Sequence, residues 1–249
     1  MNIILFDRVE INGNTVILSG RRAEHIIKIL KSKVGDTLRT GIINGPSGTS
    51  TLLKISGPTV ELLLDVHTTL PTPALVDIVL ALPRPIMLKR VLAQVATFGV
   101  ARLFLVNSNR VEKSFFSASL LEEPKMRQRL LAGLEQAGDT LLPLVSIHER
   151  FKPFVEDTLS QMASEYQGMI LAHPGSPHSL GELLSPPLTG KILLIIGPEG
   201  GWVDFEISRF SEKGVHPFHL GPRILRVDSV IPSLLGQLDL LRRLEPCHR

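Results

Sequence analysis

Cysteine is nearly missing from this chain: Cys247 stands alone among 249 residues. A single thiol closes no intramolecular disulfide, and no Cys/His grouping has zinc-site spacing, so a stapled secreted fold and a structural zinc domain are both excluded. A reducing, cytoplasmic setting without a metal is expected. Long apolar runs are missing too. None reaches the about eighteen residues that suggest a membrane helix, and Asp7 and Arg8 directly follow the first short apolar stretch, which argues against a signal peptide. Internal repeats and low-complexity tracts are not found, so solenoid and disordered architectures have no support. The phosphate-binding signatures Gly-x-x-x-x-Gly-Lys-Ser/Thr and Gly-x-Gly-x-x-Gly are likewise lacking, which leaves no P-loop and no Rossmann fingerprint.

A strong charge of either sign is also missing, since +3 overall and a pI near 9.2 are too mild to name a partner. The surplus is unevenly placed. Residues 1–54 carry +4 and the remainder −1. What the chain does have is apolar material: 43% hydrophobic against 20% charged residues is enough to build folded cores.

The first seventy residues alternate short β-rich runs, Asn2 to Phe6, Thr15 to Leu18 and Thr59 to Val66, with turn residues at Asn12-Gly13-Asn14 and Asn44-Gly45-Pro46. One helical stretch, Arg21 to Lys31, interrupts them. This pattern predicts a small, mostly antiparallel sheet or barrel over 1–70. The prolines of Leu70-Pro71-Thr72-Pro73 mark the boundary, and a second domain is expected over 74–249. There the pattern changes to Val76 to Leu82, an amphipathic Met87 to Phe98, and Arg102 to Val106, which reads as a βαβ unit and hence parallel sheet. Leu120 to Gln136 predicts another helix, and Met169 to Ala172, Lys191 to Ile196 and Pro217 to Leu220 predict further strands. Leucines 234, 235, 238, 240, 241 and 244 surround most of the terminal helix, which is therefore covered within its own domain or by a second copy.

Three loops follow the carboxyl ends of predicted strands, where open parallel sheets bind ligands. They contain His173-Pro174-Gly175, Gly197-Pro198-Glu199-Gly200-Gly201 and Gly221-Pro222-Arg223-Ile224-Leu225-Arg226. The glycines allow close backbone approach to a small ligand, and a tight strand-to-helix turn is the other reading of the same spacing. Trp202 is expected to pack at the start of a helix. Glu122, Glu123 and Glu135 read as solvated helix faces, and Ser229 and Ser233 lack the elbow of a hydrolase nucleophile. His173 and His178 have no carboxylate or thiol cluster beside them to make a metal site.

The run Ile-Gly-Pro-Glu-Gly-Gly-Trp at 196–202, followed by Leu-Gly-Pro-Arg-Ile-Leu-Arg at 220–226 and a leucine-rich helix, closely resembles the RsmE family of RNA methyltransferases in the SPOUT superfamily. Arg22, His25, Lys31 and Val34-Gly35-Asp36 are similar to the family's opening domain. The resemblance implies a PUA-like β-barrel followed by an α/β domain with a C-terminal trefoil knot, a homodimer joined through the C-terminal domain, and S-adenosylmethionine as cofactor. It further implies methylation of N3 of a uridine in 16S ribosomal RNA. The cofactor pocket would comprise Leu171, Ala172, His173, Ile196, Gly197, Pro198, Glu199, Gly200, Gly201, Leu220, Gly221, Arg223, Ile224, Leu225 and Arg226. Arg226 and Arg223 would hold phosphate or stabilise charge on the uracil, and Glu199 or Asp228 would orient or accept its proton.

The chain departs from the usual family pattern at Gln94, Thr97, Asp139 and Val227. Those departures leave open a divergent methyltransferase acting on another RNA site, or an RNA-binding or ribosome-assembly protein that has lost turnover. RNA contact also has its own physical basis: Arg21, Arg22, His25, Lys28, Lys31 and Lys33 cluster on one short segment of a β-rich domain and suit phosphate contacts, or form a solvated helix face.

Overall fold

The computed structural model describes residues 2–69, 71 and 74–244. Three residues of the Leu70-Pro71-Thr72-Pro73 spacer, and Cys247, lie outside the described residues. The chain divides into two compact units: Met1–Pro73 together with Leu130–Leu142, and Ala74–Arg129 together with Pro143–Arg249.

The first unit contains a six-stranded sheet of β1 (Ile4–Phe6), β2 (Ile11–Asn12), β3 (Thr15–Leu18), β4 (Thr37–Ile42), β5 (Ser47–Ser56) and β6 (Thr59–Thr69), in the order β1-β4-β5-β6-β3-β2. Only the β1–β4 pair is parallel among these pairings; the others are antiparallel, as the short runs and turn residues predict. Inward-facing Phe6, Val16, Leu18, Leu52 and Leu62 form the core, and the following helix adds Ala23 and Ile26 to it.

That helix is shorter and less regular than expected. Gly20–Glu24 is α-helical, His25–Ile29 continues as a π-turn, and Lys31 ends it at φ 55°. The Ser32 amide then donates to the Ile26 carbonyl at 3.1 Å, closing the helix in a position usually given to glycine.

Leu130–Leu142 completes this unit, although it lies far beyond the expected boundary. The Asn2 amide donates to the Glu135 carbonyl at 2.7 Å, the Asn44 amide to Thr140 at 2.8 Å, and the Thr140 hydroxyl to Gly45 at 2.7 Å. Backbone groups of the first unit that no strand pairs are thereby satisfied.

The second unit has a wholly parallel sheet of β7 (Val76–Ala81), β8 (Arg102–Val106), β9 (Leu144–His148), β10 (Tyr166–Ala172), β11 (Lys191–Ile196) and β12 (His216–Phe218). Their order is β12-β10-β11-β7-β8-β9. β7 and β11 lie centrally, and their near-continuous apolar runs reflect burial on both faces. β9 escaped the sequence pattern because it is an edge strand with no fully buried residue. β12 is shorter than predicted, and Pro217 is tolerated in it because it pairs on one side only.

At the amino ends of these strands sits a buried charge cluster. Asp77, fully buried, accepts from Arg102 at 2.7 Å, from the Tyr166 hydroxyl at 2.7 Å and from Lys191 at 3.1 Å. Helices Pro85–Thr97 and Val227–Arg243 pack together, with Gln94 donating to the Asp228 carbonyl at 3.1 Å. The terminal helix buries Val227, Val230, Ile231, Leu234, Leu235 and Leu238, while Leu240 and Leu244 remain exposed.

Candidate functional site

The carboxyl ends of β10, β11 and β12 lie side by side, so the three loops singled out in the sequence converge on one cleft of about 470 Å³ in the second unit. This volume suits a small organic ligand. Ala172, His173, Ile196, Gly197, Pro198, Glu199, Gly200, Gly201, Leu220, Gly221, Arg223, Ile224, Leu225 and Arg226 all line it.

Two proposed site residues lie elsewhere. Leu171 is fully buried within β10, paired to Ile195 and Pro217, because strand alternation turns it into the sheet core. Asp228 sits in the first turn of the terminal helix, outside the cleft lining, 3.2 Å from Arg90 and 3.7 Å from Arg226. Val227, one of the departures from the family pattern, does line the cleft. Gln94 and Thr97 do not; the Thr97 hydroxyl donates to the Ala93 carbonyl at 2.9 Å within its own helix.

The glycines have steric reasons. A Cβ on Gly197 would sit 3.0 Å from Nε1 of Trp202, and one on Gly200 would sit 3.1 Å from Cδ of Arg110. Gly221 has φ 105°, a conformation open to glycine and strained for other residues. Trp202 is buried, packs against Phe210 at 5.2 Å between ring centres, and precedes helix Asp204–Ser211, as expected. Its indole N–H has no hydrogen-bond partner among the described residues.

The loop after β10 and the segment after β12 run alongside each other. The His173 amide donates to Phe218 at 2.9 Å, Ser179 and His219 form a parallel bridge, and the Gly221 amide donates to Nδ1 of His219 at 3.0 Å. These contacts stiffen the cleft wall while leaving Glu199, Arg223, Ile224 and Arg226 exposed.

Sequence patterns missed one wall. Arg110, in the loop after β8, lines the cleft and donates to the Gly200 carbonyl. Its position after the carboxyl end of a predicted strand was the available signal.

The basic segment of the first unit is less free than its composition suggests. Arg21 binds Glu135 through two bonds of 2.8 and 2.6 Å, and Glu135 is buried rather than solvated. Arg22 binds Glu10 at 3.0 and 2.6 Å and the Leu5 carbonyl at 3.0 Å. Lys28 lies 3.3 Å from Glu24 in an exposed pair of little energetic weight. Burial lowers the pKa of His25, so its imidazole is neutral near neutral pH. Lys31 and Lys33 are exposed, with no ion pair to either side chain among the described residues.

Residues 70–238 match the family model of the RNA methyltransferase domain. The ribosomal RNA small subunit methyltransferase E of Treponema pallidum is 35% identical over 237 residues, covering 92% of this chain and 87% of that protein. A second relative, ribosomal RNA small subunit methyltransferase E 1 of Borreliella burgdorferi, is 24% identical over 231 residues, covering 92% and 93%. The crystal structure of a ribosomal RNA small subunit methyltransferase E from Neisseria gonorrhoeae, bound to S-adenosyl methionine, shares the fold with a TM-score of 0.79 at 21% identity, covering 97% of this chain and 98% of that one. The expectation raised by the two glycine-rich motifs is met: this chain belongs to the ribosomal RNA small subunit methyltransferase E family of RNA methyltransferases.

Proposed function

We propose that this protein transfers a methyl group from S-adenosylmethionine to N3 of a uridine in small-subunit 16S ribosomal RNA. The observation that carries this reading is the convergence of both family motifs on a single cleft. The residues present suit the cofactor. Gly197 and Gly200 leave backbone open where any Cβ would crowd Trp202 or Arg110, the buried indole N–H is an unused donor, and Ile196, Val227 and Val230 offer apolar surface.

The cofactor supplies a methyl group carried on a sulfonium. For in-line transfer the protein has to align donor and acceptor and favour loss of the uracil imide proton. The backbone at 197–201 and 220–226, which lines the cleft, would hold the adenosine and methionine portions. Arg223 and Arg226, both exposed on the cleft, attract RNA phosphate or steady negative charge on the base. Glu199, also exposed at the cleft, orients or accepts the imide proton. Asp228 acts on this chemistry through Arg226, which it approaches to 3.7 Å.

The first unit, with its six-stranded sheet and register shifts in β5 against β6, suits a PUA-like barrel that binds RNA through Lys31 and Lys33. The segment running from β12 back to helix Pro85–Thr97 suits the family's trefoil knot. Exposed Leu240 and Leu244 suit a homodimer contact through the C-terminal domain. No described helix is long and apolar enough to cross a membrane, and a ribosomal RNA substrate fits a cytoplasmic setting.

The test is incorporation of labelled methyl groups from S-adenosylmethionine into small-subunit RNA, followed by mapping of the modified nucleotide. Arg226→Ala should reduce the rate well over tenfold while leaving the fold intact. RNA binding without incorporation by the wild-type protein would identify a binder that has lost turnover.

A further inference from the structure

Arg110 combines three observations that the motif loops do not explain. It is an exposed cation on the cleft with no carboxylate partner among the described residues. One N–H donates to the Gly200 carbonyl, which leaves the rest of a five-donor fork unused. Its loop is also held from beneath. The Glu206 carboxylate, only 3% exposed, accepts the Asn109 amide at 2.7 Å with Oε1 and the Val203 amide at 3.0 Å with Oε2. Burying a carboxylate is costly unless it is well bonded. Here a single carboxylate clamps the residue before Arg110 and the residue after Trp202, joining the loops that follow β8 and β11.

A guanidinium fixed in this way serves an anion. The cleft's buried lining, Ile196, Trp202, Val227 and Val230, is apolar and lies inside, whereas Arg110 is at the exposed rim. A rim cation meets the polymer rather than the small molecule lodged within. Resting on the function proposed above, we infer that Arg110 is a further RNA-binding residue of the cleft. It takes an anionic oxygen of the RNA strand, and Glu206 is the positioning residue that sets its loop.

The experiment measures S-adenosylhomocysteine affinity, binding of a small-subunit RNA fragment across a salt series, and kcat and KM for Arg110→Ala, Arg110→Lys and Glu206→Gln. If the oxygen is a backbone phosphate, Arg110→Ala should raise the RNA KM about tenfold, flatten the salt dependence by about one ion, and spare kcat, with Arg110→Lys restoring most of the loss. If it is a uracil oxygen, kcat should fall about tenfold or more while RNA affinity persists. Both outcomes support the inference. Glu206→Gln should shift the same parameter as Arg110→Ala, and adding it to Arg110→Ala should change little further. Unchanged RNA affinity and kcat in Arg110→Ala, or a loss confined to S-adenosylhomocysteine affinity, would overturn it. A wild-type protein that neither binds nor methylates RNA would instead defeat the function itself, so the two failures are distinguishable.

Discussion

Arg21 and Glu135, 114 positions apart in the chain, meet in a two-pronged ion pair whose carboxylate is buried and whose guanidinium is half exposed. The pair is thus energetically lopsided. Removing Arg21 leaves a buried charge without its partner, whereas removing Glu135 leaves a cation that water can still solvate. Arg21→Met should cost roughly 2–3 kcal/mol of first-unit stability and Glu135→Gln roughly 1 kcal/mol. Urea unfolding of the two variants checks the order; equal losses would mean that the pair acts as an ordinary surface contact.

The same geometry changes which residues test RNA binding. Arg22 is committed to Glu10 and Leu5, so reversing its charge would disturb the fold as well as any RNA contact. Reversing Lys31 and Lys33 avoids that problem. Lys31→Glu with Lys33→Glu should weaken RNA binding about tenfold near physiological salt and flatten its salt dependence by about one to two ions. S-adenosylhomocysteine affinity should be untouched. RNA affinity equal to wild type in a filter-binding salt series would remove this segment from the interface.

Gly197 offers a steric test of the cleft. An added methyl would lie 3.0 Å from Nε1 and 3.1 Å from Cδ1 of a buried Trp202, which has aromatic neighbours rather than free space behind it. Gly197→Ala should lower cofactor affinity by about tenfold or more, with a strain cost of about 1–3 kcal/mol. Calorimetric titration with S-adenosylhomocysteine measures this; wild-type affinity would show that the loop relaxes freely.

Acid should destabilise the second unit through His148. Its ring lies 4.8 Å from that of Phe154 and 6.1 Å from that of Phe104, and burial lowers its pKa. The unfolded chain therefore binds the proton more readily, so stability is full above the ordinary histidine pKa of about 6.5 and falls as pH drops through it. His148→Gln should flatten that loss. Thermal midpoints of the second unit at a series of pH values from neutral to mildly acidic check the slope, and an unchanged slope would assign the acid sensitivity to groups other than His148.

Strand periodicity and turn chemistry made much of this architecture legible. The runs Val76 to Leu82, Arg102 to Val106 and Lys191 to Ile196 hold the interior strands β7 (Val76–Ala81), β8 and β11, and a buried parallel strand writes itself as an apolar run. The cleft loops were legible for the same reason, since each begins where such a run stops. Less local features left little trace. Glu135 looks like any solvated glutamate because its burial depends on Arg21, far away in sequence. Arg110 carries no glycine signature, and its role depends on a carboxylate from another loop. Asp228 has a carboxylate's chemistry, yet its place in the first helical turn directs it to Arg90 and Arg226 rather than into the cleft lining. Long-range partnerships of this kind are not encoded in any window of neighbouring residues.

The inclusion of Leu130–Leu142 in the first unit also has a consequence for how the protein is made. During synthesis the strands through β6 emerge well before the segment that satisfies Asn2, Asn44 and Arg39. A nascent chain halted just after Pro73 would hold all six strands of the sheet but lack the segment that completes the unit, with an unanswered arginine at position 21. The amino-terminal unit is therefore finished only after the first strands of the second unit have been translated, and folding order on the ribosome does not simply follow chain order.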